Sequence, residues 1–140
     1  MKTLFLFTSA TFSATPGELD EWHDDFINPG LYALELARFL ERELAQRGYP
    51  FKTQCQEDWG HWMELEHDGK FTLGLGCSNT QEEFDGQTEH RIFITPDKPI
   101  IRRFFKKINV RNDVEKLAAT LRELLKNSSA ISNLRIEDAT

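Results

Sequence analysis

The sequence predicts an α+β fold in which two main helices pack on one face of an antiparallel β-meander of about five to six strands. Apolar residues recur at helical spacing over residues 33–44 and 114–125, and they alternate at strand spacing between residues 51 and 95. Each helix and the meander therefore has one apolar face, and a two-layer sandwich buries all of these faces. A length of 140 residues suits one domain that spans residues 1–140.

The first third of the chain predicts a strand, an acidic connector and a helix. Residues 3–12 are rich in Phe and Thr, which favour strands. The connector over residues 18–26 combines carboxylates with aromatic side chains. Asn28 can cap a helix whose first position is Pro29. Gly48 suits the end of that helix, where a left-handed conformation is common.

The last helix is expected from about Asp113 to Lys126, with Asn112 as its N-cap and Glu115 completing a capping box. Its buried stripe is formed by apolar side chains, namely Val114, Leu117, Ala118, Leu121, Leu124 and Leu125. The segment over residues 131–136 that follows could return to the sheet as a short edge strand.

The side chains of the two central strands, residues 59–66 and 70–77, predict how these strands pair. A three-residue loop with Gly69 in a left-handed conformation places the apolar residues of both strands on one face. A two-residue loop would instead mix carboxylates into that face, so the three-residue loop is preferred. It places Trp62 opposite Gly74, and the glycines of this strand then allow close packing of the indole. They do not match a dinucleotide site, which needs a third glycine and a helix.

The chain carries 17 Lys and Arg residues against 23 Asp and Glu residues, a net charge of −6. A negative surface disfavours binding to nucleic acid and to anionic membranes. No apolar run is long enough to span a bilayer, and polar residues interrupt the N-terminal run, which predicts a strand rather than a signal peptide. Cys55 and Cys77 are expected to be reduced, buried thiols of a cytoplasmic protein.

The segment from Glu57 to Trp62 holds the densest set of reactive side chains. Glu57, Asp58 and His61 are the candidates for acid–base catalysis. We favour a simpler interpretation, in which Trp59 and His61 lie in the core and the acids lie in water, because the spacing matches no catalytic motif. The sequence shows neither a metal-ligand pattern nor a cofactor motif, so no metal and no cofactor are expected.

One basic stretch interrupts the acidic composition. Its cations are Arg102, Arg103, Lys106, Lys107 and Arg111. Such a stretch could dock an acidic partner or a phosphate-bearing ligand. The favoured interpretation is a short helix that packs its Phe side chains inward and leaves the cations in water.

Four motifs, in this order, resemble a family of small uncharacterised bacterial proteins. They are Asn28-Pro29-Gly30, Gly48-Tyr49-Pro50, Glu57-Asp58-Trp59-Gly60 and Leu75-Gly76-Cys77-Ser78-Asn79. The similarity covers residues 3–95 and, more loosely, the last helix. The Glu-Asp-Trp-Gly block is its most specific part. His61 follows this block where the family has an aromatic residue, which here comes one position later. The resemblance implies a compact bacterial domain and assigns no catalytic residue.

The leading hypothesis for function is a non-enzymatic interaction protein, of the immunity or inhibitor type, that binds a basic partner protein. The candidate contact residues combine aromatic anchors with polar groups, and they are Trp22, Asp24, Asp25, Glu57, Asp58, Trp62 and Asn79. The alternative is a small-molecule or metal-dependent enzyme that uses Glu57 and Asp58 near Trp62, which requires these groups to converge in a cleft. A third alternative is a homo-oligomer joined through strand edges.

Overall fold

The computed structural model describes residues 2–66, 72–96 and 107–138. The helices and strands of these residues, in chain order, are β1 (Lys2–Ser9), α1 (Pro16–Leu19), α2 (Leu34–Ala45), β2 (Phe51–Glu57), β3 (Gly60–Leu65), β4 (Leu73–Phe84), β5 (Gln87–Pro96), α3 (Lys107–Lys126) and β6 (Ser132–Asp138). The predicted α+β class is confirmed. Among the helices described, none is long and apolar enough to cross a membrane.

The strands form one antiparallel sheet in the order β2-β3-β4-β5-β1-β6. β1 lies between β5 and β6, so the first strand of the chain joins the meander to the last strand. Alternation along the strands places Phe5, Leu75 and Ile92 on the face that α2 and α3 cover. These side chains and Leu40 and Leu121 of the helices are buried, so the core lies between the two layers.

The predicted face of the β3–β4 pair is confirmed, whereas its register differs by two residues from the predicted one. Trp62 pairs with Gly76 and not with Gly74. The indole of Trp62 nevertheless lies on Gly74. The ring is so close that a Cβ atom at position 74 would overlap it. The predicted loop around Gly69 lies outside the described residues. A shift by two residues keeps every side chain on its face, so alternation alone cannot detect it.

The helix start predicted at Asn28-Pro29-Gly30 is wrong, since α2 begins at Leu34. Gly30 has a φ of +82°, a left-handed conformation that a right-handed helix does not contain. Two carbonyl oxygens of this segment accept hydrogen bonds from the side-chain amides of Asn79 and Gln81 on β4. The segment is therefore a loop docked on the sheet, and α2 follows it.

Two element ends and one cysteine also differ from expectation. β1 ends at Ser9 instead of residue 12, and α3 begins at Lys107, which places the predicted cap Asn112 inside the helix. Cys55 is exposed because β2 is an edge strand of the sheet, whereas Cys77 is buried as predicted. Both cysteines are free thiols.

His90 on β5 is fully buried in an aromatic cluster. The centre of its ring lies 5.6 Å from that of Phe7, 5.8 Å from that of Phe12 and 6.0 Å from that of Tyr32. Neither ring nitrogen of His90 has a hydrogen-bond partner among the described residues. Burial lowers the pKa of His90 to about 4, and the Glu89 carboxylate opposes this shift only in part. The fold therefore holds this imidazole neutral.

We predict that His90 makes the fold sensitive to acid. Between its ordinary pKa of 6.5 and its native pKa of about 4, this histidine binds a proton more readily in the unfolded chain than in the native one. Its contribution to stability is therefore complete above pH 6.5 and is lost as the pH falls towards 4, by about 3 kcal/mol in total. Urea unfolding across this pH range should show a larger loss in the wild-type protein than in His90→Leu. Parallel pH profiles of the two proteins would contradict this assignment.

Candidate functional site

The acidic connector begins with the short helix α1, which a capping box stabilises. Thr15 Oγ1 accepts a hydrogen bond from the backbone N–H of Glu18 (3.3 Å), and the Thr15 N–H donates to Glu18 Oε1 (3.0 Å). Pro16 occupies the first helical position, where no N–H is needed. The ring of His23 lies against Gly17, which has no room for a Cβ atom. The connector therefore folds back onto α1.

Glu18 fixes the connector to the core. It is 2% exposed, and its Oε2 accepts hydrogen bonds from the backbone N–H groups of Ala33 (2.8 Å) and Leu34 (3.1 Å). These donors lie at the start of α2, where Ala33 provides no side-chain cap. A carboxylate at this position satisfies free donors and interacts favourably with the helix dipole. Unlike the exposed acids that follow it in the connector, Glu18 is therefore a structural residue.

Two further hydrogen bonds hold the other end of the connector against the β2–β3 hairpin. Gln56 Nε2 donates to the carbonyl oxygen of Phe26 (2.9 Å), and Asn28 Nδ2 donates to the carbonyl oxygen of Asp58 (2.7 Å). The connector and the turn that carries Glu57 and Asp58 therefore lie side by side. Both of these acids are exposed, so they extend the negative surface of the connector.

Trp22 is 88% exposed, and Leu19, three residues earlier in the chain, is 72% exposed. Local turns order the backbone here, since the N–H groups of Trp22 and His23 donate to Asp20 Oδ1 (3.0 Å) and to the Asp20 carbonyl oxygen (2.8 Å), respectively. The indole therefore stands in water on an ordered loop. We define the acidic surface as this indole and the carboxylates of the connector and the hairpin, namely Asp20, Glu21, Trp22, Asp24, Asp25, Glu57 and Asp58.

Two predicted contact residues, Asn79 and Trp62, do not belong to the acidic surface. Asn79 is 3% exposed, and its side-chain amide holds the loop before α2. Its Oδ1 accepts from the Tyr32 N–H (3.1 Å), and its Nδ2 donates to the Gly30 carbonyl oxygen (2.9 Å). Trp62 lies on the sheet face opposite the helices, because the residues on both sides of it point into the core. Asn79 therefore has a structural role, and Trp62 faces a different surface.

Trp59, which was expected in the core, is only half-buried. The centre of its ring lies 5.2 Å from that of Phe93 on β5. Phe93 in turn lies directly on Gly76, where a Cβ atom would overlap its ring. These aromatic rings and Trp62 therefore belong to the sheet face that α2 and α3 leave open.

The three candidates for acid–base catalysis do not converge. Glu57 and Asp58 are exposed, and Glu57 Oε1 accepts a hydrogen bond from the Cys55 thiol (3.4 Å). Desolvation, followed by this contact with Glu57, raises the pKa of Cys55. His61 is buried on the helix-covered face, as predicted; burial lowers its pKa, and nearby carboxylates oppose the shift. Within residues 2–66, 72–96 and 107–138, no three His, Cys, Asp or Glu side chains are placed to share a metal ion.

Arg111 is the one basic candidate whose side chain the structure describes. The candidates outside the described residues are Arg102, Arg103 and Lys106. Lys107 is described only as the first residue of α3. Arg111 is exposed, and its Nε lies 3.0 Å from Glu115 Oε1. It also borders a groove between α3 and the sheet, which no sequence motif indicated.

One sequence signal for the anchoring role of Glu18 was missed. Thr15 and Glu18 have the spacing of a capping box, which predicts a helix start within the segment interpreted as an irregular connector. Nothing local predicts the second role of Glu18 at the start of α2, because Ala33 is 15 residues away. That contact arises only when the chain folds back.

Comparison of the chain with family models, with curated proteins and with solved structures found no match. The resemblance to a bacterial family therefore stays a prediction. What can be inferred about function depends on the geometry of the acidic surface.

We predict that Glu18→Ala destabilises the fold by about 3 kcal/mol, because it leaves the buried N–H group of Ala33 and the partly buried one of Leu34 without their acceptor. Glu18→Gln keeps one acceptor oxygen but replaces the other with an amide NH2 that cannot accept a hydrogen bond, and it loses the charge at the helix terminus, so it should cost about 2 kcal/mol. The exposed Glu21→Gln serves as the control and should change stability by less than about 0.5 kcal/mol. Urea unfolding measures all three. Equal stabilities of Glu18→Ala and Glu21→Gln would show that Glu18 does not anchor the connector.

Proposed function

We propose that this chain is a non-enzymatic interaction domain that binds the basic surface of a partner protein through Trp22 and the acids around it. The observation that carries the proposal is the 88% exposure of the indole on a backbone held at both ends. Large aromatic side chains in folded proteins are mostly buried. One that stands in water on an ordered loop is typical of an interface anchor.

Burial of Trp22 in a partner would contribute a large share of the binding free energy. An indole covers about 200 Å², and each Å² of apolar area removed from water is worth about 25 cal/mol. One anchor therefore contributes roughly 5 kcal/mol before the entropic costs of association are subtracted. The hydrogen bonds of Glu18, Asn28 and Gln56 order the connector before binding, which lowers those costs.

The carboxylates around Trp22 select the class of partner. Asp20, Glu21 and Asp24 are exposed beside the indole, and the hairpin acids extend the same negative potential. A surface of one sign accelerates association with a positively charged protein and repels an acidic one, and salt weakens both effects. An immunity or inhibitor role, in which the acidic surface covers a basic functional site of another protein, is consistent with this geometry.

We predict that the tagged chain captures a basic protein from the native host and that Trp22→Ser fails to capture it. Phe84→Ser is the matched control, because Phe84 is also an exposed large apolar residue (50%) but lies at the end of β4 rather than in the connector. Quantitative mass spectrometry compares the three eluates. With the purified partner, calorimetry should show that Trp22→Ser weakens binding by roughly tenfold or more.

The contribution of the carboxylates to partner binding is tested separately, by removing their charge and by raising the salt concentration. Asp24→Asn combined with Asp25→Asn should slow association with the partner, and higher salt should weaken wild-type binding. If the wild-type and Trp22→Ser eluates contain the same proteins, the proposal is wrong. A partner whose affinity responds neither to Trp22→Ser nor to salt also excludes it.

A further inference from the structure

A groove of about 450 Å³ lies between α3 and the β1–β6 pair, whose strand β6 is an edge of the sheet. Its apolar lining includes Phe5, Ala118 and Ile136, and Phe5 and Ile136 are partners across the β1–β6 pair. The volume falls within the range of clefts that hold small ligands. The groove shares no residue with the acidic surface, so it is a separate candidate site.

The side chains of α3 explain why the groove exists. Arg111, Glu115, Ala118 and Arg122 recur at helical spacing and therefore form one line along the helix. In the middle of this line, Ala118 and its neighbour Ala119 carry only methyl groups, whereas both ends of the line carry guanidinium groups. The result is an apolar gap between two cationic ends.

Charge distinguishes this groove from the rest of the chain. Lys2, Arg111 and Arg122 line it, and Glu115 is the carboxylate beside them, with its Oε1 3.0 Å from Arg111 Nε. The lining therefore carries an excess of positive charge in a chain whose net charge is −6. A local cationic excess of this kind attracts anions that the chain as a whole repels.

We propose that the groove binds a small amphiphilic anion. A carboxylate or phosphate head would contact the guanidinium group at one end of the gap, Arg111 or Arg122, since guanidinium groups bind both kinds of head through charge-assisted hydrogen bonds. An aliphatic or aromatic body would cover Ala118, Ala119 and Ile136, which are at least partly exposed, and remove their apolar area from water. The inference is independent of the proposed interaction function, because the two sites have no residue in common.

Titration of the ¹⁵N-labelled chain with decanoate, decyl phosphate and decyltrimethylammonium, each below its micelle concentration, tests this proposal. We expect both anions to shift the amide resonances of Ala118, Ala119 and Ile136, and the cation to shift none of them. The tighter anion identifies the preferred head group. Acetate and inorganic phosphate, which lack an apolar body, should bind roughly tenfold or more weakly.

Variants locate the binding on the groove. Arg111→Gln combined with Arg122→Gln should weaken decanoate binding by roughly tenfold or more. The matched control combines Arg38→Gln with Arg42→Gln, which removes two exposed guanidinium groups from α2 and should leave binding unchanged.

A third variant tests whether the ligand occupies the groove itself. Ala119→Leu fills the exposed side of the groove without entering the core, and it should also weaken decanoate binding. The proposal is overturned by equal shifts with the cation, by shifts that map outside the groove, or by wild-type affinity in the Arg111→Gln, Arg122→Gln protein.

Discussion

The Glu18 carboxylate is the group on which the arrangement of the acidic surface depends. It accepts hydrogen bonds from the backbone of Thr15 and from the N–H groups of Ala33 and Leu34, so it joins the start of α1 to the start of α2. A buried carboxylate is costly unless its oxygens are hydrogen-bonded, and here backbone donors and the N-terminus of a helix stabilise it. The connector between these points is consequently ordered, and Trp22 is presented to solvent from a defined position.

The two candidate sites lie near opposite edges of the sheet. The acidic surface adjoins the β2–β3 hairpin, whereas the cationic groove lies by the β1–β6 pair, whose strand β6 is the other edge. The carboxylates of the acidic surface therefore lie away from the groove, near which they would lower the local concentration of an anionic ligand. The net charge of −6 therefore conceals two surfaces of opposite sign, and each surface suits a different class of ligand.

Side-chain patterns predicted the layers of the fold, because alternation and helical spacing report directly on burial. They placed His61 in the core and the ring of Trp62 on Gly74. They could not predict the β3–β4 register, since a shift by two residues preserves both faces. They also could not predict that Asn79 is buried, because its partners in the loop before α2 are 47 and 49 residues away. Contacts between residues so far apart in the sequence depend on how the chain folds back, and no local sequence pattern predicts that path.

In this account Trp22 stands on an ordered backbone that Glu18 holds in place. Backbone ¹⁵N relaxation at residues 20–25 measures this order directly. The structure predicts order parameters of about 0.8, close to those of α2, and a clear decrease over the same residues in Glu18→Gln. Order parameters below about 0.6 in the wild-type protein, or values that Glu18→Gln leaves unchanged, would contradict the claim.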